Sequence, residues 1–129
     1  MTDPAAAPAP LRVLLVDTDE RVRESLAGLL RIGHRCLVVG SAGTVDDAIR
    51  LARDSVPDVV VVDPRLPGAE PATAFIARLR EVAPAARILV LIWSDMADKA
   101  SGADAYVRKT FRSHELIEAV VTTSGRSVA

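Results

Sequence analysis

The most informative part of the chain is residues 57–68, which read Pro57-Asp58-Val59-Val60-Val61-Val62-Asp63-Pro64-Arg65-Leu66-Pro67-Gly68. Four consecutive valines without polar alternation predict a strand that is buried on both faces, as in parallel sheets covered by helices. Asp63 ends this apolar run, and Pro64 restricts the backbone of the loop that follows. We therefore expect Asp63 to lie at the carboxyl end of a central strand.

Strand and helix signals alternate on both sides of this segment. Three further apolar runs predict strands of the same kind: Val13 to Val16, Leu37 to Val39 and Ile88 to Trp93. The weaker run Ala103 to Arg108 is predicted to be a fifth strand. The stretches between the strands carry apolar stripes with helical spacing. These stripes are Val22, Leu26, Leu29 and Leu30; Val45, Ala48, Ile49 and Ala52; Phe75, Ile76, Leu79 and Val82; and Leu116, Ile117, Val120 and Val121.

This alternation predicts an α/β fold of the (βα)5 type. The expected architecture is a doubly wound, flavodoxin-like parallel sheet with the strand order 2-1-3-4-5 and helices on both faces. Only the eight residues from Ser94 to Ser101 separate Trp93 from Gly102, so we expect a shortened fourth helix of about 12 Å. The domain is predicted to span residues 11–124, between a disordered tail of residues 1–10 and a tail of residues 125–129.

Composition argues against several classes of protein. The chain has 129 residues and a net charge of −1, with 16 basic residues offset by 17 acidic ones, so we expect no nucleic-acid partner. The longest apolar run, Ile88 to Trp93, is far shorter than the roughly 20 residues that span a bilayer, so we expect no membrane association. Cys36 is the only cysteine and lies in an apolar run, which indicates a buried thiol in a reducing compartment. These features predict a cytoplasmic protein of one domain.

Two carboxylates and one ammonium group are expected to meet at one edge of this sheet. Asp17 follows the first strand and Asp63 follows the third, and these strands flank the point where strand order reverses, which is where open α/β sheets bind ligands. Like charges this close repel unless a cation lies between them, and Mg2+ prefers such oxygen ligands. Lys109, at the end of the fifth strand, is expected at the same edge. A carboxylate beside a metal ion and a lysine is suited to accept a phosphoryl group.

Each of these residues also has an ordinary structural interpretation. An aspartate before a proline, as at Asp63, commonly opens a turn. Asp17 is also placed to cap the first helix, and Lys109 taken alone is typical of a solvated loop. The expected placement of all three residues at one edge favours the functional interpretation.

Three segments resemble those of the receiver domains of two-component response regulators, and the resemblance covers residues 11–124. The segments are Leu14-Leu15-Val16-Asp17, residues 57–68, and Gly102-Ala103-Asp104-Ala105-Tyr106-Val107-Arg108-Lys109. The resemblance implies that Asp63 is the phosphoacceptor and that Lys109 binds the phosphoryl group. It implies that Asp17 and Asp63 hold Mg2+ together with the backbone carbonyl of Arg65. Tyr106 is then the aromatic switch residue of the family.

The chain departs from the family pattern at three places. Thr18 stands where the family has a second acid, so we expect weak binding of Mg2+ unless Asp19 takes that place. Ile92 stands where the family has a threonine or serine that contacts the phosphoryl group, and Ser94 is the candidate substitute. The shortened fourth helix alters the usual signalling face. Trp93, at the entrance to that face, is expected to pack as core, with an exposed anchor for a partner as the alternative.

The predicted function is that of a single-domain, stand-alone receiver that is not an enzyme. Asp63 accepts a phosphoryl group from a histidine kinase or a phosphotransfer protein of a phosphorelay, and the output lies in a separate protein or a homodimer. One alternative is a degenerate receiver that acts as a phosphorylation-independent protein-interaction module. Another is a phosphatase, because Asp17-Thr18-Asp19 resembles the D-x-D motif of haloacid dehalogenases, in which Asp17 would be the nucleophile.

Overall fold

The computed structural model of the chain describes residues 9–92, 102–109 and 112–126. The strands are β1 (Leu11–Val16), β2 (Cys36–Ala42), β3 (Val59–Val62), β4 (Arg87–Ile92) and β5 (Ala105–Arg108). The helices are α1 (Glu20–Arg31), α2 (Val45–Ser55), α3 (Ala72–Val82) and α4 (Ser113–Ser124), with a 3-10 turn at Ile32–His34. The predicted short fourth helix, together with Trp93 and Ser94, lies outside the described residues, as do residues 1–8 and 127–129 of the predicted tails.

The five strands form one parallel sheet in the order β2-β1-β3-β4-β5. The predicted α/β fold and its strand order are therefore confirmed. β1 and β3 are neighbours, and Val16 is paired with Val62 at the last position of their ladder. The chain segments that follow β1 and β3 thus leave the sheet side by side at its carboxyl edge.

The valine run of β3 is explained by two hydrophobic cores, one on each face of the sheet. Val60 and Val62 pack in a core with buried side chains of α2 and α3. Val59 and Val61 pack in the other core with buried side chains of α1 and α4. Successive side chains of a strand point to opposite faces, so a strand covered on both sides needs apolar residues at every position. Full burial of each valine contributes about 1.5 kcal/mol or more to stability.

Two smaller expectations bear on the rest of the molecule. Cys36 is buried, as predicted, and burial raises the pKa of its thiol, although the positive charges of Arg35 and Arg126 oppose that effect. Within the described parts of the chain, no helix combines the length and the apolar character needed to cross a bilayer.

Candidate functional site

The two predicted acids lie next to each other at the carboxyl edge of the sheet. Asp17 comes directly after β1, and its backbone N–H donates to the carbonyl of Ala42 at 3.0 Å. Asp63 comes directly after β3, and its backbone N–H donates to the carbonyl of Val16 at 2.9 Å. These bonds extend the ladders of the sheet by one residue, so the backbone under each carboxylate is fixed. Both residues are buried, with exposed fractions of 2% and 3%.

Lys109 follows β5, two strands away from β3 at the same edge of the sheet, and its side chain reaches both acids. Its backbone N–H donates to the carbonyl of Ile92 at 2.9 Å, which anchors the residue at the end of β4 and β5. Its Nζ lies 2.6 Å from Asp17 Oδ2 and 2.9 Å from Asp63 Oδ2, and only 2% of the side chain is exposed. A buried ammonium group between two carboxylates offsets their mutual repulsion. The structure therefore brings together the three side chains that the sequence placed at this edge.

The guanidinium of Arg65 is a second cation at the site, whereas the sequence pointed only to the backbone carbonyl of this residue. Its backbone N–H donates to Asp63 Oδ1 at 2.9 Å, and its Nε lies 3.3 Å from the same oxygen. Its Nη2 lies 3.2 Å from Asp63 Oδ2, so the guanidinium faces both oxygens, while 61% of the side chain remains exposed. The two side-chain contacts form a charge-assisted fork, at distances longer than the about 2.7–2.9 Å of the strongest pairs of this kind. The spacing Asp-Pro-Arg is the sequence signal for this contact, because a turn after Asp63 brings the residue two positions later back to the Asp63 carboxylate.

The protonation state of Asp63 follows from these contacts. Burial raises the pKa of this carboxyl group, but hydrogen bonds from the side chain and backbone of Arg65 and from Lys109 lower it. The attractive contacts prevail, and the pKa of Asp63 lies below its ordinary value of 3.8. Asp63 is consequently ionised at neutral pH, which is the state that a carboxylate nucleophile requires.

Arg23 of α1 binds the backbone of the loop that follows β1. The sequence did not predict this contact. Its Nη1 donates to the carbonyl of Asp17 at 2.6 Å, and its Nε donates to Ser41 Oγ at 2.7 Å. The side chain passes over Gly43, where a Cβ atom would lie 2.8 Å from Arg23 Nη1. Arg23 therefore ties the loop after β1 to the end of β2, and glycine leaves the space that this contact needs.

The residues as they are arranged do not fit a divalent metal ion. Thr18 is exposed and carries no charge. Asp19 is the N-cap of α1, and its Oδ1 accepts from the backbone N–H of Arg21 at 2.9 Å. Over residues 9–92, 102–109 and 112–126, no three His, Cys, Asp or Glu side chains are grouped closely enough to hold a metal. The edge offers two carboxylates, and cations of the chain itself already contact both.

Two other residues named from the sequence lie close to this edge. Ile92 is 6% exposed and packs in the core on the α2 and α3 face, so its side chain supplies no hydroxyl to the site. Tyr106 lies in β5, is half-buried and packs against the same core. Its role as a switch stays a prediction, as does the metal-binding role of the Arg65 carbonyl.

Comparison with known proteins gives one consistent family. Two curated relatives from Mycobacterium tuberculosis (strain ATCC 25618 / H37Rv) match the chain. The transcriptional regulatory protein PdtaR is 34% identical over 92% of this chain and 59% of its own length. The DNA-binding transcriptional activator DevR/DosR is 37% identical over 92% of this chain and 57% of its own length. The chain thus spans somewhat more than half of the length of these relatives.

Solved structures and family assignment agree with these relatives. A crystal structure of a LuxR-family two-component response regulator from Aurantimonas sp. SI85-9A1 superposes with a TM-score of 0.78, at 32% identity, over 91% of this chain and 87% of that one. Residues 13–121 match the family described as the response regulator receiver domain. With most of its length inside that match, the chain belongs to the response regulator receiver domain family of two-component systems.

Proposed function

We propose that this receiver domain is competent for phosphorylation and that Asp63 is its phosphoacceptor. The observation that carries the proposal is the state of the Asp63 carboxylate, which is buried, ionised and joined to Asp17 through the Lys109 ammonium group. A carboxyl group attacks phosphorus in its ionised form, and a nearby cation stabilises the negative charge on the transferred group. Asp63 and Lys109 supply these two requirements at one point of the sheet edge.

The proposed reaction is transfer of a phosphoryl group from a phosphohistidine of a histidine kinase or a phosphotransfer protein. A carboxylate oxygen of Asp63 forms a bond to phosphorus, the phosphorus–nitrogen bond breaks, and its electron pair stays on the imidazole. The product on Asp63 is an acyl phosphate. Lys109 is placed to hold a phosphoryl oxygen, since its Nζ already lies 2.9 Å from Asp63 Oδ2. Receiver domains generally bind Mg2+ at the phosphorylation site, where it neutralises charge; for this chain we propose weak binding.

The same proposal covers the cellular role of the chain. Receiver domains are generally signalling modules, and we propose that this one is not an enzyme. Its output is proposed to lie in a separate protein or a homodimer in the cytoplasm, with Tyr106 as the switch residue. The unit that carries the phosphoacceptor is proposed to be residues 11–124.

Intact-mass measurement tests the proposal. The purified chain is incubated with Mg2+ and a small acyl-phosphate donor, beside Asp63→Asn and Asp58→Asn. Asp58→Asn is the matched control, because it makes the same chemical change at the opposite end of β3. We expect one phosphoryl group on the wild type and on Asp58→Asn, and none on Asp63→Asn. Fragmentation of the adduct locates the modified residue.

Two alternatives predict different results in this experiment. A phosphorylation-independent interaction module is favoured by the uncharged Thr18 and by Ile92, and it predicts no adduct on any variant. A phosphatase of the haloacid dehalogenase type predicts an adduct on Asp17 that survives Asp63→Asn. Either result would overturn the assignment of Asp63.

A further inference from the structure

The Asp63 carboxylate has no unused acceptor position. An ionised carboxylate offers about four lone pairs, two on each oxygen. Oδ1 of Asp63 accepts from the backbone N–H and the Nε of Arg65. Oδ2 of Asp63 accepts from Lys109 Nζ and Arg65 Nη2. Any further ligand of Asp63 must therefore displace one of these donors.

Asp17 is less fully occupied. Its Oδ1 accepts from the backbone N–H of Asp19 at 2.9 Å, and its Oδ2 accepts from Lys109 Nζ at 2.6 Å. One lone pair on each oxygen is left by these contacts. The obstacle to a cation that must contact both acids is consequently at Asp63.

The four donors on Asp63 differ in how readily they move. The backbone N–H of Arg65 is fixed by the loop, and Lys109 is buried and shared with the second acid. The guanidinium of Arg65 lies on a long side chain that is 61% exposed. This ion pair has one exposed partner and contacts of 3.2 and 3.3 Å, so it is the one among the four donors' contacts that can open into solvent. Arg65 is thus the donor that a competing cation would displace.

We propose that the Arg65 side chain is an internal counter-ion of Asp63 that competes with a divalent cation for the same carboxylate. Arg65 and Lys109 carry two positive charges against the two negative charges of Asp17 and Asp63, so these four described side chains are balanced without a metal. Mg2+ gains its contact with Asp63 only when the guanidinium swings into solvent. This inference rests on the proposed function only for the choice of Asp63 as the functional carboxylate. It does not require Asp63 to accept a phosphoryl group.

Isothermal titration of Mg2+ into the unphosphorylated chain of 129 residues tests this competition. Arg65→Met and Arg65→Gln remove the charge and keep the backbone N–H that bonds Asp63. Arg50→Met is the matched control, because its guanidinium has similar exposure, 57%, but pairs with Asp47 on α2. We expect the Kd for Mg2+ to fall about three- to fivefold in both Arg65 variants, the upper part of the range for ion pairs with an exposed partner, and to stay unchanged in the control.

The outcomes separate this inference from the proposed function. Tighter binding in both Arg65 variants with no change in Arg50→Met supports the competition, even when Asp63 takes no phosphoryl group. Equal Kd values for the wild type and the Arg65 variants overturn it, even when Asp63 is phosphorylated. Equal tightening in Arg50→Met, or no measurable Mg2+ binding by any of the four proteins, overturns it as well. Thermal unfolding of each protein verifies that all four are folded.

Discussion

The two edges of the sheet use the same side chain, aspartate, in different ways. At the amino edge, Asp58 Oδ2 accepts from the backbone N–H of Arg12 at 2.8 Å. Asp104 Oδ2 at that edge accepts from the backbone N–H of Ile88 at 2.7 Å. Each carboxylate there joins one strand to the next through a peptide group, and so it fixes their register.

At the carboxyl edge, two aspartates lie on neighbouring strands and both contact one buried cation. Asp17 and Asp63 both contact Lys109 Nζ, at 2.6 Å and 2.9 Å. This arrangement sets two like charges side by side, which costs free energy and adds nothing to strand register. An aspartate at a strand end is therefore weak evidence of function, whereas convergence of two aspartates on one cation is strong evidence.

The largest effect is expected when the shared cation is removed. Lys109→Met leaves two buried carboxylates without their common partner, and loss of one member of a buried ion pair costs about 3 kcal/mol or more. Urea unfolding should therefore show a large fall in the free energy of unfolding. Adding Asp17→Asn to this variant removes the repulsion and should recover much of the loss. A loss below about 1 kcal/mol in the single variant, typical of exposed pairs, would show that the edge is well solvated.

A smaller effect is expected at the amino edge. Asp104→Ala leaves the buried N–H of Ile88 without its side-chain acceptor and removes the ion pair with Arg80 at 3.2 Å. An unsatisfied buried donor costs about 1–3 kcal/mol, so we expect a loss of about 2 kcal/mol in urea unfolding. Asp104→Asn keeps an acceptor oxygen and should lose less. If Asp104→Ala also abolished the phosphoryl adduct in mass spectrometry while the protein stayed folded, the two edges would not be independent.

The smallest effect is expected in the dependence of stability on pH. Because the pKa of Asp63 is lower in the folded chain than its ordinary value of 3.8, the folded state favours the ionised form. That contribution is fully present above the ordinary value and is lost as the pH falls through the folded value. The difference in unfolding free energy between the wild type and Asp63→Asn should therefore shift against the wild type between pH 6 and pH 3. A difference that stays constant over this range would contradict the assigned ionisation.

Much of the fold could be predicted because a strand that is buried on both faces of the sheet has a continuous apolar run in the sequence. The four valines of β3 and the apolar run that precedes Asp17 predict central strands. The carboxyl ends of such strands meet at one edge of the sheet. β2 was predicted shorter, at Leu37 to Val39, because Gly40 and Ser41 continue this edge strand without apolar character.

The contacts that the sequence did not reveal depend on local geometry rather than on periodicity. The guanidinium of Arg65 meets Asp63 because of how the loop turns after Pro64, and hydrophobic pattern does not encode a turn of this kind. Arg23 reaches the carbonyl of Asp17 because α1 packs beside the loop and Gly43 leaves room. The contact of Arg65 depends on one local turn, whereas the contacts of Arg23 depend on how α1 packs against the ends of β1 and β2.

The distances along the chain between the clustered residues bear on the order in which the site assembles during synthesis. Lys109 comes 92 residues after Asp17 and 46 residues after Asp63. β1, β2 and β3 are all synthesised before Lys109, so the two strands that carry the carboxylates are complete before the lysine is added. Contacts of such long range form late in folding. The buried charge cluster is therefore completed only when β5 joins the sheet, and a nascent receiver domain has no finished site until its last strand is in place.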